Sequence, residues 1–152
     1  MGLNVSNLCV RRCTQIAAPP DKVWEQFQSI DRLKAWFGIG HRLESYTPGA
    51  DGKISMSVEF DDRVRPFGGN IIVWESGREL SIEDNWFDED MAWPTSTFIT
   101  FRLSADNSGT FVELFHHGFE KLGESAASEH EGYEQGWSNQ HLVALRKIIE
   151  AS

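Results

Sequence analysis

PPDKVWEQFQSIDRLKAWFG, residues 19–38, opens on a helix start, loses its periodicity at residues 29–31, and restarts to end on a second tryptophan. Pro20 suits a first helical turn, where its missing N–H is no loss, and Val23, Trp24, Phe27 and Ile30 recur at helical spacing. Asp31 offers a cap for a second helix whose apolar positions are Leu33, Trp36 and Phe37, and Gly38 with Gly40 ends it. The stretch predicts two short helices set at an angle. One continuous helix would bury the same apolar area, so the break implies a partner surface that curves away. Trp24 then anchors one arm in the core, while Trp36 and Phe37 overhang an opening.

Around this pair the periodicity is two. Residues 9–17, CVRRCTQIA, read as a first strand that Pro19 and Pro20 forbid from continuing. HRLESYT, the turn PGADG and KISMSVEF form a hairpin in which Ile54, Met56, Val58 and Phe60 share one face and Ser55, Ser57 and Glu59 the other. Gly68 and Gly69 lead into NIIVWE, and ESGRE turns into ELSIEDNW, where Leu80, Ile82, Asp84 and Trp86 share a parity and Asp84 is the odd member. An acidic, proline-containing loop over residues 87–95 precedes STFITFRLS, the ADNSG turn and TFVELFHHGF, whose Val112, Leu114 and His116 face alike. About seven strands joined by short turns result.

The tail is helical. Ser128 and Glu131 match a capping box, and Tyr133, Trp137, His141, Leu145 and Ile148 form a stripe at spacings of three and four. Gly132 and Gly136 each cost such a helix about 1 kcal/mol against alanine. They read either as a close approach on that face or as a frayed first turn. An antiparallel sheet with one polar face must cover its apolar face, and the helix pair and the terminal helix are the elements available to do so. The expected architecture is α+β: a curved antiparallel sheet wrapped around a long C-terminal helix, with two short helices after the first strand and a gap at one end.

The 152 residues fit one domain, 1–152, burying roughly two-thirds of the unfolded surface. A formal charge of −9 repels a phosphate backbone, and no basic stripe offsets it, so nucleic acid is excluded as a partner. No apolar run reaches the ~18 residues of a membrane span, and residues 1–7 lack a signal-peptide pattern, so the expected location is cytoplasmic. Cys9 and Cys13, four apart in an extended segment, are roughly 13 Å apart and beyond disulfide reach. Free thiols in a reducing compartment are expected.

By strand parity the concave face offers Met56, Val58, Phe60, Trp86, Phe101, Leu114 and His116, with Trp36, Phe37, Phe119, Tyr133 and Trp137 closing the rim. Such an aromatic wall suits a hydrophobic, aromatic or polycyclic small molecule oriented by few polar groups. Asp84 and His116 form the candidate catalytic pair, because a buried carboxylate beside an imidazole shifts both pKa values and suits aldol-type cyclisation or dehydration. His141 could join them but reads better as a satisfied core residue. His116 and His117 are adjacent and face opposite ways in a strand, and neither His130 nor Glu129 falls at a ligand spacing, so no metal and no cofactor is expected. No nucleophile elbow, phosphate-binding glycine loop or paired zinc cysteines occur. An exposed edge strand and Trp93 leave a homodimer open.

AAPPDKVWEQF, DRLKAWFG, GTFVELFHHGF and GWSNQHLVALRKIIE, in this order, resemble the successive motifs of the SRPBCC superfamily, the START and birch-pollen-allergen-like helix-grip proteins. The branch most similar is that of the C-terminal domain of activators of the heat-shock ATPase chaperone. The resemblance spans nearly the whole chain and implies the helix-grip fold. It implies a function only broadly, since the superfamily holds lipid carriers, polyketide cyclases and aromatases, hydroxylase domains and chaperone activators. The iron-binding pattern of the oxygenase branch is missing here. The branch name implies a heat-shock ATPase partner, and a cofactor-free cyclase or dehydratase using Asp84 and His116 is the enzymatic alternative to simple binding. The sequence departs from the branch at Asp84, where an aromatic residue is expected, and in the acidic loop over residues 87–91.

Overall fold

A computed structural model of the chain describes residues 8–151, and the reading of residues 1–7 lies outside the described part. Seven strands form one antiparallel sheet in the order β1-β7-β6-β5-β4-β3-β2. They are β1 (Val10–Ile16), β2 (Arg42–Thr47), β3 (Lys53–Phe60), β4 (Arg63–Glu75), β5 (Glu79–Trp86), β6 (Thr97–Asp106) and β7 (Gly109–His117). The chain crosses from β1 at one edge to β2 at the other through α1 (Pro20–Trp24), a 3-10 turn (Glu25–Phe27) and α2 (Ile30–Phe37), then returns strand by strand to β7 beside β1. This is the α+β helix-grip arrangement expected from the sequence.

The break between α1 and α2 is held by specific bonds. Ser29, not Asp31, occupies the cap position of α2, its hydroxyl accepting from the Arg32 N–H at 3.2 Å. Asp31 sits inside the first turn. Two carbonyls near the interruption are satisfied by aromatic side chains. The Trp36 indole donates to the Gln26 carbonyl at 3.2 Å and the Tyr46 hydroxyl to the Phe27 carbonyl at 2.6 Å. Buried carbonyls without such donors would each cost of the order of 1–3 kcal/mol. Trp24 packs on Phe27 and Trp74, and Trp36 on Phe27 and Phe101, so the two arms meet in one aromatic core.

β4 begins at Arg63, well before the expected start at Asn70, because Asp61 and Asp62 close a tight hairpin with φ of 54° and 59°. Pro66, Gly68 and Gly69 are therefore strand residues. Gly68 has φ of 133°, and a side chain there would collide with the Ile54 carbonyl. The register of the β4–β5 pair shifts just beyond, between Ile71 and Val73. Extending β4 toward Arg63 carries Phe67 into register between Met56 of β3 and Trp86 of β5.

The long C-terminal helix is interrupted once. A 3-10 segment (Phe119–Ser125) leads into α3 (Ala126–Gly136), Trp137 is extended with φ −79° and ψ 109°, and α4 (Gln140–Glu150) completes the tail. The first turn forms without the capping box, since Ser128 already lies within α3. The interruption is clamped from β1. The Arg12 guanidinium donates to the Glu134 carbonyl at 2.9 Å and to the Trp137 carbonyl at 2.8 and 3.1 Å, supplying donors to the end of α3. A straight helix would have kept Trp137 on the common stripe. The break turns its indole onto the sheet.

Candidate functional site

Rows of inward residues run across the sheet. Leu80, Phe101 and Leu114 stand in one row and Ile82, Ile99 and His116 in the next. Met56, Phe67 and Trp86 form a third, on the far strands. The first row meets the early helices and is closed: Phe101 touches Phe27, Trp36 and Phe37 at ring separations of 5.4–5.5 Å. The other two rows approach the end of the sheet where α3 and the segment after α2 diverge, and a cavity of about 500 Å³ opens there.

The sheet contributes Met56, Val58, Phe67, Asp84, Trp86, Ile99 and His116 to this cavity. The end of α2 contributes Phe37, the segment leaving it Ile39 and His41, and the loop after β5 Met91. The helical side contributes Glu129, Tyr133, Trp137, His141 and the bare backbones of Gly132 and Gly136. Nothing lies within 4 Å of where a Cβ on either glycine would stand. No neighbour within the protein approaches either position, and neither is in the first turn, Gly132 lying midway along α3 and Gly136 being its last residue. Their effect is to leave the helix wall open to the cavity.

Of the residues singled out in the sequence, Phe37, Met56, Val58, Trp86, His116, Tyr133, Trp137 and Asp84 meet at the cavity. Trp36, Phe101 and Leu114 do not. They are buried in the closed core, because strand alternation fixes the face on which a residue stands but not how far along the strand the cavity begins. Trp36 in particular does not overhang the opening, since its ring is held between Phe27 and Phe101. Phe119 is buried behind the wall, with ring centroids 4.7 Å from His116 and 5.5 Å from Tyr133. The Phe60 side chain lies outside the described part. The sequence reading missed His41 and Phe67, which flank glycines taken for turns, and passed over His141. The signal available for Phe67 was the apolar alternation of Phe67, Gly69 and Ile71, hidden by Pro66 and the glycine pair.

His116 sits in a directed chain of hydrogen bonds. The Trp137 indole can only donate, and it does so to His116 Nδ1 at 2.9 Å. The neutral ring therefore carries its proton on Nε2, 2.8 Å from the Thr97 hydroxyl, which in turn donates to the Asp84 main-chain carbonyl at 3.2 Å. Burial lowers the His116 pKa from 6.5 to about 3, so the ring is neutral at ordinary pH. His117 faces the other way, 3.1 Å from the Thr100 hydroxyl.

The Asp84 carboxyl is 2 % exposed and differently placed. Its Oδ2 lies 3.5 Å from His116 Nε2, while Oδ1 is buried with no hydrogen-bond partner among the described residues. Burial raises its pKa from 3.8 to about 7. Across the cavity the His41 Nε2 is likewise buried and unpartnered, and burial with the nearby His141 lowers the His41 pKa to about 4. His141, whose Nδ1 bonds to the Trp36 carbonyl at 3.3 Å, is also lowered by burial. Tyr133 is raised by burial and by the Asp84 and Glu129 charges. All three cavity histidines are neutral near pH 7, and Asp84 and Glu129 are the acidic groups of the lining.

The acidic loop is tethered at both ends. The half-buried Asn85 side chain accepts from the Trp93 N–H at 2.9 Å and donates to the Trp93 carbonyl at 3.2 Å. Arg65 reaches Asp88 at 3.1 Å and Asp90 at 3.0 Å. Between these anchors Met91 faces the cavity, and the Trp93 ring bridges Trp86 and Tyr133 at 6.4 and 6.0 Å. Among the described residues no group of three or more His, Cys, Asp or Glu side chains could hold a metal ion. No helix among them is long and apolar enough to cross a membrane.

No curated protein matches the chain. Among solved structures, a protein from Arthrobacter aurescens determined by solution NMR is 17% identical with a TM-score of 0.73, the match covering 99% of this chain and 91% of that one. The solution structure of the Aha1 dimer from Colwellia psychrerythraea is 16% identical with a TM-score of 0.56, covering 93% and 96%. DynU16, described as a putative protein in the dynemicin biosynthetic locus, is 19% identical with a TM-score of 0.60, covering 95% of this chain and 48% of that one. At these identities the likeness is one of fold. Residues 17–150 match the family described as Activator of Hsp90 ATPase homolog 1-like protein, and the chain belongs to that family, within the SRPBCC superfamily.

Proposed function

We propose that the protein binds a hydrophobic small molecule with an aromatic or polycyclic body in the cavity between the sheet and the C-terminal helices. The observation that carries this reading is the cavity itself: about 500 Å³, within the usual range for small-molecule sites, walled by Phe37, Phe67, Trp86, Tyr133 and Trp137 and broken by few polar atoms. Gly132 supports it, because a glycine inside a helix costs roughly 1 kcal/mol against alanine and here leaves bare the helix wall that faces the cavity. Native mass spectrometry of protein purified without added ligand, compared with the same sample after denaturation, tests the reading. A copurifying apolar compound, or saturable uptake of an apolar dye by the empty protein, is the expected result. An empty protein that takes up no dye would overturn it.

A cofactor-free cyclase or dehydratase is the second reading, favoured by the 3.5 Å approach of Asp84 to His116. In it Asp84 would carry the proton alone. His116 Nδ1 already accepts from Trp137 and its Nε2 proton is directed to Thr97, which leaves the imidazole no free lone pair to act as a base. Asp84→Asn would then keep ligand binding and abolish turnover, and survival of both would remove the reading. Association with a heat-shock ATPase rests on the family description alone, and direct binding at high protein concentration tests it.

A further inference from the structure

Asp84 is a carboxyl group that the fold has stripped of water without giving it a counter-charge. Asp84 lines the cavity, its Oδ1 is buried without a hydrogen-bond partner among the described residues, and its one ionic neighbour among them is His116, which the Trp137 indole holds in the neutral form. Among the described residues of the lining there is no lysine or arginine, and Glu129 adds a second acidic side chain. The His41 Nε2 is a further unpartnered buried nitrogen in the same wall. Around these groups stand the rings of Phe37, Phe67, Trp86 and Tyr133. Carboxylates and the faces of aromatic rings attract cations and repel anions.

Resting on the reading of the cavity as an apolar ligand site, we propose that its ligand is an organic cation: an aromatic or apolar body bearing a protonated amine that pairs with Asp84. The usual objection to a buried ion pair is the cost of drying both partners. Here folding has already dried Asp84, so binding removes water from the cation alone. The pair then gives the Asp84 carboxyl group the counter-charge that no described residue supplies. The chain's formal charge of −9 favours the approach of such a ligand over that of a carboxylate.

Three probes of one shape separate this proposal from the reading on which it rests. Binding of 2-naphthylmethylamine, 2-naphthylmethanol and 2-naphthoate is measured at pH 8 by titration calorimetry, with the wild type and with Asp84→Asn. The amine is expected to bind about tenfold or more tightly than the alcohol, and the carboxylate most weakly. Asp84→Asn, nearly isosteric and relieved of a buried acid, is expected to keep the alcohol and to abolish the preference for the amine. If the alcohol binds the wild type as well as the amine does, or if the preference survives in Asp84→Asn, the cation proposal fails while the apolar site stands. If none of the three binds the wild type, both fail.

Discussion

The Trp137 indole N–H donates to His116 Nδ1 at 2.9 Å, tying the interruption of the C-terminal helix to the last strand of the sheet. The contact sets the imidazole tautomer and turns a helix residue into part of the cavity wall. It also explains why a conspicuous buried histidine beside a carboxyl group is poorly suited to take a proton.

Trp137→Phe should keep the ring and lose the donor. His116 Nδ1 would be left buried and unpaired, at a cost of about 1–3 kcal/mol. Urea unfolding should show that loss. Nitrogen chemical shifts of the imidazole should report a single Nε2–H tautomer in the wild type and a mixture in the variant. A single tautomer in both would mean that Thr97, not Trp137, sets the proton.

The stability of the wild type should carry opposing pH slopes. Asp84 titrates at about 7 when folded and near 3.8 when unfolded, so between these values the folded chain holds a proton that the unfolded chain has released. Stability from this group therefore falls as pH rises from about 4 to about 7, by at most about 4 kcal/mol, and is level above. His116 and His41 act in the opposite sense. Lowered to about 3 and about 4 from 6.5, they are neutral when folded and protonated when unfolded, so their contribution rises with pH up to about 6.5. His116 from β7, Thr97 from β6 and Tyr133 from α3 are the polar groups placed around Asp84. Asp84→Asn should match the wild type near pH 4 and exceed it by a growing margin up to pH 7. A margin independent of pH would mean that Asp84 is not the buried acid.

Gly132→Leu should fold and close the cavity. The position is helical with open space at its Cβ, so leucine gains up to about 1 kcal/mol of helix propensity and projects toward the ligand space. Thermal stability should hold or rise while uptake of an apolar dye is lost. Retained uptake with raised stability would place the dye elsewhere on the protein.

Arg65→Ala should free the loop that carries Met91. Asp88 and Asp90 would lose their shared cation and repel one another. Hydrogen exchange at residues 87–92 should quicken, with the strands on either side unaffected. Unchanged exchange there would leave Asn85 as the sufficient anchor.

Much of this was legible in the sequence, for reasons visible at particular residues. Alternation in β3, β5 and β7 placed Met56, Trp86, Asp84 and His116 on the inner face, since a half-buried strand must alternate. The interruption between Trp24 and Trp36 was readable as loss of period. Depth along the strands was not readable, which is why Phe101 and Leu114 were expected at the cavity and stand in the core. The start of β4 was hidden by Pro66 and two glycines, which usually punctuate strands and here serve a bulged register. The break at Trp137 was hidden for the opposite reason. Tyr133, Trp137 and His141 keep helical spacing across it, and what enforces it is Arg12, more than a hundred residues away in the chain.

Chemical-shift mapping during titration with 2-naphthylmethanol asks whether the cavity takes up an apolar ring, because the six indole N–H signals sample core and cavity separately. Saturable shifts are expected at Trp86 and Trp137 and none at Trp24 and Trp36, which belong to the closed core. Absence of any saturable shift, or shifts confined to surfaces away from Trp86 and Trp137, would contradict binding in the cavity.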